Sequence, residues 1–174
     1  RPFMMRRTKD LVAADLPEKQ EQVITVELSA AHRKLYDRIL QKERKKILGF
    51  IESARVAHLA TASSDGDPHV VAVTFVLIED DIFFAIDEKP KTTTRLRRVT
   101  NIEQNPRATL LVDVYDDDWS KLGWAMLRGQ AAIIAPGDQS APPRDEILAE
   151  LRAKYPEYHE HNLAGRPLIR LSVE

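Results

Sequence analysis

The spacing of hydrophobic and polar positions along this chain changes near residue 50. Before it, Leu35, Ile39, Ile47 and Ile51 fall at multiples of four behind Ser29, a good N-cap, with a polar interruption over Lys42-Glu43-Arg44-Lys45-Lys46. That spacing predicts one helix from about Ala30 to about Ser53, in which Gly49 costs about 1 kcal/mol relative to alanine. Upstream, residues 22–28 alternate apolar and polar with β-branched enrichment, which predicts a short strand.

From Val56 the pattern becomes one of strands and turns. Residues 56–62 are an apolar run ended by Ser63-Ser64-Asp65-Gly66, whose Asp-Gly pair favours a hairpin. Residues 68–78 read as one long strand apolar on both faces, which predicts a barrel wall also covered from outside, by a helix or a partner chain. Residues 82–86, 108–115, 124–135 and 168–173 are four further strand candidates. Leu96, Val99 and Ile102 share one side of a helix that ends at Asn105-Pro106, and Ile147, Leu148 and Leu151 mark another ended by Tyr155-Pro156. Six strands joined mostly as hairpins, with two or three helices, predict a mainly β, α+β fold: a small antiparallel barrel with an N-terminal helical extension.

Charge sharpens the break near residue 50. Residues 1–49 carry 12 Lys/Arg against 7 Asp/Glu, whereas residues 50–174 carry 14 against 20. A basic segment of 1–49 joined to an acidic domain of 50–174 fits two origins. Much of the basic excess is that of a solvated amphipathic helix, through residues 42–46, and it lacks interleaved aromatic residues, so nucleic-acid contact is not expected. The absence of cysteine excludes disulfides and thiolate chemistry. No apolar run is long enough for a membrane helix, and a cytoplasmic protein is expected. His159 and His161 have no further ligands near them in sequence, so no metal site is expected.

The richest candidate chemistry is Lys89-Pro90-Lys91-Thr92-Thr93-Thr94-Arg95 with Arg97, where cations and hydroxyls precede a helix. Such a set suits phosphate. His69, at the start of a strand after Pro68, is a weaker donor candidate.

Two resemblances follow from these motifs. Arg1-Pro2-Phe3-Met4-Met5-Arg6-Arg7-Thr8-Lys9, the Leu16-Pro17-Glu18-Lys19 group, and Leu28-Ser29 with Leu35-Tyr36 resemble the segment between the ATPase lobes of Swi/Snf-type helicases. No G-x-x-x-x-G-K-[ST] phosphate loop accompanies them, so no ATP site is expected. Residues 55–61, Asp65-Gly66-Asp67-Pro68-His69, the 89–96 segment, Asn105-Pro106-Arg107 and Asp116-Asp117-Asp118-Trp119-Ser120 resemble the pyridoxamine-phosphate-oxidase-like split-barrel superfamily, in particular its probable coenzyme F-420-dependent class. That resemblance implies a six-stranded split barrel of the FMN-binding type, a homodimer with cofactor sites at the subunit interface, and F-420, or alternatively FMN, as cofactor. It assigns Lys91, Thr92 and Arg95 to the cofactor phosphate.

Val73, Thr74 and Phe75 are expected near the ring, as are Thr61 and Trp119. The implied function is hydride transfer between the cofactor and a small molecule, with no catalytic side chain assigned because the ring performs the transfer. A non-catalytic cofactor carrier, or a DNA- or remodeller-associated module acting through residues 1–48, are the alternatives.

Overall fold

A computed structural model describes residues 27–86, 96–138 and 142–174. The chain divides into two compact units, residues 1–39 and 40–174. Of the first, the described part is the beginning of α1 (Ala30–Ser53) and the three residues before it, where Ser29 Oγ accepts from the His32 amide at 3.4 Å as the N-cap the sequence suggests. Helix α1 has the limits its spacing predicts, although Ile51 is its one buried residue. The strand expected at 22–28 falls almost wholly outside the described residues.

The second unit is built on one antiparallel sheet. Its strands are β1 (Ala57–Ala62), β2 (Pro68–Val73), β3 (Val76–Ile78), β4 (Asp81–Ala85), β5 (Arg107–Val114), β6 (Gly123–Ile134) and β7 (Leu168–Val173). Helix α2 (Arg97–Gln104) precedes β5, and α3 (Arg144–Lys154) precedes β7. The order across the sheet is β2-β1-β5-β6-β7-β4-β3.

Seven strands replace the expected six because the long run at 68–78 breaks at Thr74-Phe75. That break closes the barrel. Strands β2 and β3 lie at opposite edges of the sheet, yet only two residues separate Val73 from Val76. Three Cα–Cα steps of about 3.8 Å cannot exceed about 11 Å, so the sheet curls until its edges meet. The result is a split barrel. At the β1–β2 turn, Gly66 takes φ +84, and the Ser63 amide bonds the Asp67 carbonyl at 3.1 Å. A residue without Cβ is what such a backbone favours.

Alternation along the strands fills the barrel. Leu59, Leu110, Val112, Ile82, Phe84, Ile169 and Leu171 point inward and are essentially buried, with Ile51 of α1 and Ile102 of α2 packed among them. Leu96 and Val99 join Ile102 on the side the sequence indicates. A second cluster gathers Phe83 and Leu168 under Ile147, Leu148 and Leu151 of α3, with Tyr155, Tyr158 and Leu163. Strand β4 is therefore buried on both faces, through Ile82 and Phe84 on one and Phe83 on the other. Of the two covers expected for the outer face of 68–78, a helix is not the one over β2, because α3 lies over the β4–β7 side instead. Pro68, Val70 and Ala72 are exposed, Val70 by 59%.

Candidate functional site

The junction between β2 and β3 is held by two tyrosines from the segment just after α3. Tyr155 Oη accepts the Phe75 amide at 3.1 Å and lies 2.9 Å from both the Phe75 and Arg55 carbonyls. Its single proton serves one carbonyl at a time. Burial pushes the phenol above its ordinary pKa, with the Phe75 backbone bond acting in the opposite sense. Tyr158 Oη shares a short hydrogen bond with Thr74 Oγ1, and the two tyrosine rings meet edge to face with centroids 5.7 Å apart. The two residues that break the strand are thus each fastened by a phenol.

Two adjoining cavities open at this corner. One, of about 240 Å³, is lined by Val56, Ala72, Val73, Thr74, Ala85, Arg98 and Tyr158. The other, of about 310 Å³, shares Val56, Thr74 and Tyr158 and adds Arg55 and His161. Their walls combine apolar side chains with hydroxyls and guanidinium groups, the composition of a small-molecule site.

Of the sequence candidates, Val73 and Thr74 line this corner. Phe75 is fully buried in the barrel core behind it. Thr61 is also buried, and its hydroxyl accepts from Asn101 Nδ2 of α2 at 3.1 Å. It lies near the far end of the β1–β2 hairpin, opposite His69, whereas Val73 pairs with Ala57. Burial, then Arg97 and Arg98, lower the His69 pKa and favour a neutral imidazole. Trp119 is 76% exposed on a short 3-10 turn capped by Asp118, beyond the same end of the sheet as Val73. Lys91, Thr92 and Arg95 lie outside the described residues. Ala85, before that segment, and Arg98, after it, both line the smaller cavity.

Sequence reasoning missed Tyr155 and Tyr158 as site residues. The Tyr155-Pro156 pair signals only a helix end, and nothing in the spacing links it to residues 74 and 75. Among the described residues no group of three or more His, Asp or Glu side chains is placed to hold a metal.

Lys154 adds an electrostatic feature behind the corner. Its ammonium lies 4.1 Å from the Phe75 ring centroid, and burial together with Arg55 brings its pKa down to about 8, against an opposing pull from Glu52. A depressed lysine pKa means that the unfolded chain holds the proton more tightly, so stability rises with pH between about 8 and 10.5. Lys154→Met is expected to stabilise the protein at pH 7 by about 1 kcal/mol, the figure being reduced for partial exposure. The gain should fade as pH rises through that window. Thermal melts from pH 6.5 to 10.5 measure it; a gain that grows with pH would contradict the assignment.

Residues 44–174, which include every strand described above, match the pyridoxamine 5'-phosphate oxidase family. The chain belongs to that family. Among solved structures, HutZ, the heme storage protein from Vibrio cholerae, aligns with a TM-score of 0.58 at 19% identity, over 75% of this chain and 89% of that one. The conserved hypothetical protein Rv2991 from Mycobacterium tuberculosis aligns with a TM-score of 0.57 at 19% identity, over 89% and 86%. At these identities the likeness is one of fold, and it is the split barrel of the pyridoxamine 5'-phosphate oxidase family.

Residues 1–80 also match the SNF2-related domain. The ISWI chromatin-remodeling complex ATPase CHR17 of Arabidopsis thaliana is 27% identical over 161 residues, 85% of this chain and 14% of the ATPase. The chain thus spans only a small part of the curated relatives it matches. The SNF2-related match runs into β1–β3, which the structure pairs within the barrel sheet. Among the described residues, no helix is long and apolar enough to cross a membrane.

Proposed function

We propose that this chain is an oxidoreductase that binds F-420, or alternatively FMN, at the β2–β3 corner and passes a hydride between the cofactor ring and a small molecule. The observation that carries the reading is the paired cavity at Thr74, in a family whose members commonly bind flavin-type cofactors. Its residues fit such a group. Arg98 and the Thr74–Tyr158 hydroxyl pair supply polar contacts, and Val56, Val73, Ala72 and Ala85 supply apolar wall. When bound, the ring supplies the hydride chemistry. The chain's own contribution is to orient the ring and keep water from it, with Lys91, Thr92 and Arg95 assigned to the phosphate.

The open outer face of β2, β1, β5 and β6 supports a homodimer. Met126 and Trp124 are exposed on it by 46% and 71%, and Ala72, His58 and Leu111 lie in register with Met126. A second copy is the cover we assign to the Trp124–Met126 end of this face, which places the corner near the interface and leaves the Arg107–Gln130 end of β5 and β6 outside it.

Fluorescence titration of the whole chain with F-420 and with FMN, with oligomeric state measured alongside, tests the reading. Saturable binding of one of them is expected. Lys91→Ala should weaken it by about 1–3 kcal/mol, roughly 5- to 150-fold, if it makes a charge-assisted phosphate contact. Failure of both cofactors to bind at high micromolar concentration would overturn the proposal. The storage role stated for HutZ favours a second reading, a non-catalytic carrier on the same fold. Cofactor binding without reductase turnover across candidate acceptors would select it.

A further inference from the structure

The larger cavity of the barrel, about 550 Å³, lies away from the Thr74 corner and takes no part in the proposed hydride chemistry. It is lined by parts of β1, β5 and β6, and its distinctive side chains are Arg107, Thr109, Arg128 and Gln130. In the β5–β6 ladder Arg107 faces Gln130 and Thr109 faces Arg128. Positions two apart on a strand share a face, so all four side chains project from the same outer surface. They form a block two residues wide on each strand, with donors at every corner.

The charges in that block are unbalanced. Arg97 pairs with Asp67 and Arg170 with Asp81, whereas no carboxylate forms an ion pair with Arg107 or Arg128 among the described residues. Arg128 Nη2 reaches only the Met126 sulfur, at 3.6 Å. Glu174 lines the same cavity, but its carboxylate accepts from Gln130 Nε2 at 3.1 Å. Two like charges at diagonal positions of neighbouring strands, about 7–8 Å apart, repel. The folded barrel carries that repulsion beside an open cavity whose lining also includes Thr61, Asn105, Ala60, Ala62 and Pro68.

Guanidinium groups bind carboxylates and phosphates through paired N–H donors, and a hydroxyl and an amide between them add further hydrogen bonds. We propose that Arg107 and Arg128, with Thr109 and Gln130, form a binding site for the anionic group, carboxylate or phosphate, of a small molecule. The site is separate from the corner assigned to the cofactor and does not depend on that assignment. An anion seated there removes the arginine repulsion, so binding raises stability.

Isothermal titration and thermal melts with citrate and with inorganic pyrophosphate, at ionic strength matched with sodium chloride, test the proposal on the whole chain. Saturable binding with a rise in Tm is expected. Stronger binding of citrate assigns the site to carboxylates, and stronger binding of pyrophosphate to phosphates. Arg107→Gln and Arg128→Gln should each weaken binding at least about tenfold while melting no lower than the parent without anion, because each relieves the repulsion. Arg128→Lys keeps the charge but loses the fork, and should fall between. Arg55→Gln, in the Thr74 corner, should leave anion affinity unchanged. No saturable binding above the chloride control, equal affinity in the Arg107 and Arg128 variants, or an equal loss in Arg55→Gln would each overturn it. Cofactor titration of the Arg107 and Arg128 variants separates this outcome from failure of the hydride reading, since the corner should remain competent in them.

Discussion

Gly129→Ala is expected to cost about 3 kcal/mol or more, a large share of the roughly 5–15 kcal/mol that holds a domain folded. A Cβ at residue 129 would lie 1.8 Å from the Ser172 carbonyl oxygen and 2.8 Å from its carbon. Both are backbone atoms of β7, so no side chain can rotate away. Relief requires β7 to separate from β6, yet β7 is the strand that joins β6 to β4 in the sheet order. Losing its register opens the barrel. Gly49→Ala makes the opposite prediction from the same chemistry. Nothing lies within 4 Å of a Cβ there, and the helix gains about 1 kcal/mol. Urea denaturation of both variants tests the pair; a Gly129→Ala midpoint within error of the parent would refute the close approach.

The sequence shows why Gly49 is expendable but not why Gly129 is required. Gly49 interrupts a helical pattern that continues on both sides, whereas the constraint on Gly129 comes from a strand more than forty residues away. The same division runs through the fold. Helix α1, α2, the β1–β2 turn and most strands follow from spacing and turn residues because those signals are local. The break at Thr74-Phe75 was not legible, since every residue from Val70 to Ile78 suits a strand. Barrel closure imposes the break. The candidate site divides in the same manner: Val73 and Thr74 were found by their place on the strand, while Tyr155 and Tyr158 reach it from some eighty residues downstream. Arg107 was visible as part of an Asn-Pro-Arg motif, but its alignment beside Arg128 needed the β5–β6 register.

Tyr155→Phe is expected to destabilise the protein by about 2–4 kcal/mol and to weaken ligand binding at the corner. The hydroxyl is the partner of the Phe75 amide and lies within bonding distance of two carbonyls, on a residue that is 4% exposed. Removing it leaves a buried amide without a partner, which costs about 1–3 kcal/mol, and takes a donor from the carbonyls of Phe75 and Arg55. The ring itself remains, so packing is preserved and the effect belongs to the hydroxyl. Because Phe75 is the second residue of the junction, the loss falls where the sheet edges meet and loosens Thr74 beside it. Tyr158→Phe removes the hydroxyl contact to half-buried Thr74 and should cost less, about 0.5–1.5 kcal/mol from that bond. Denaturation midpoints order the three proteins as parent, Tyr158→Phe, Tyr155→Phe. If Tyr155→Phe instead matches the parent, the barrel closes without the Tyr155 hydroxyl, and the corner owes its shape to the buried Phe75 ring and the Tyr158–Thr74 contact.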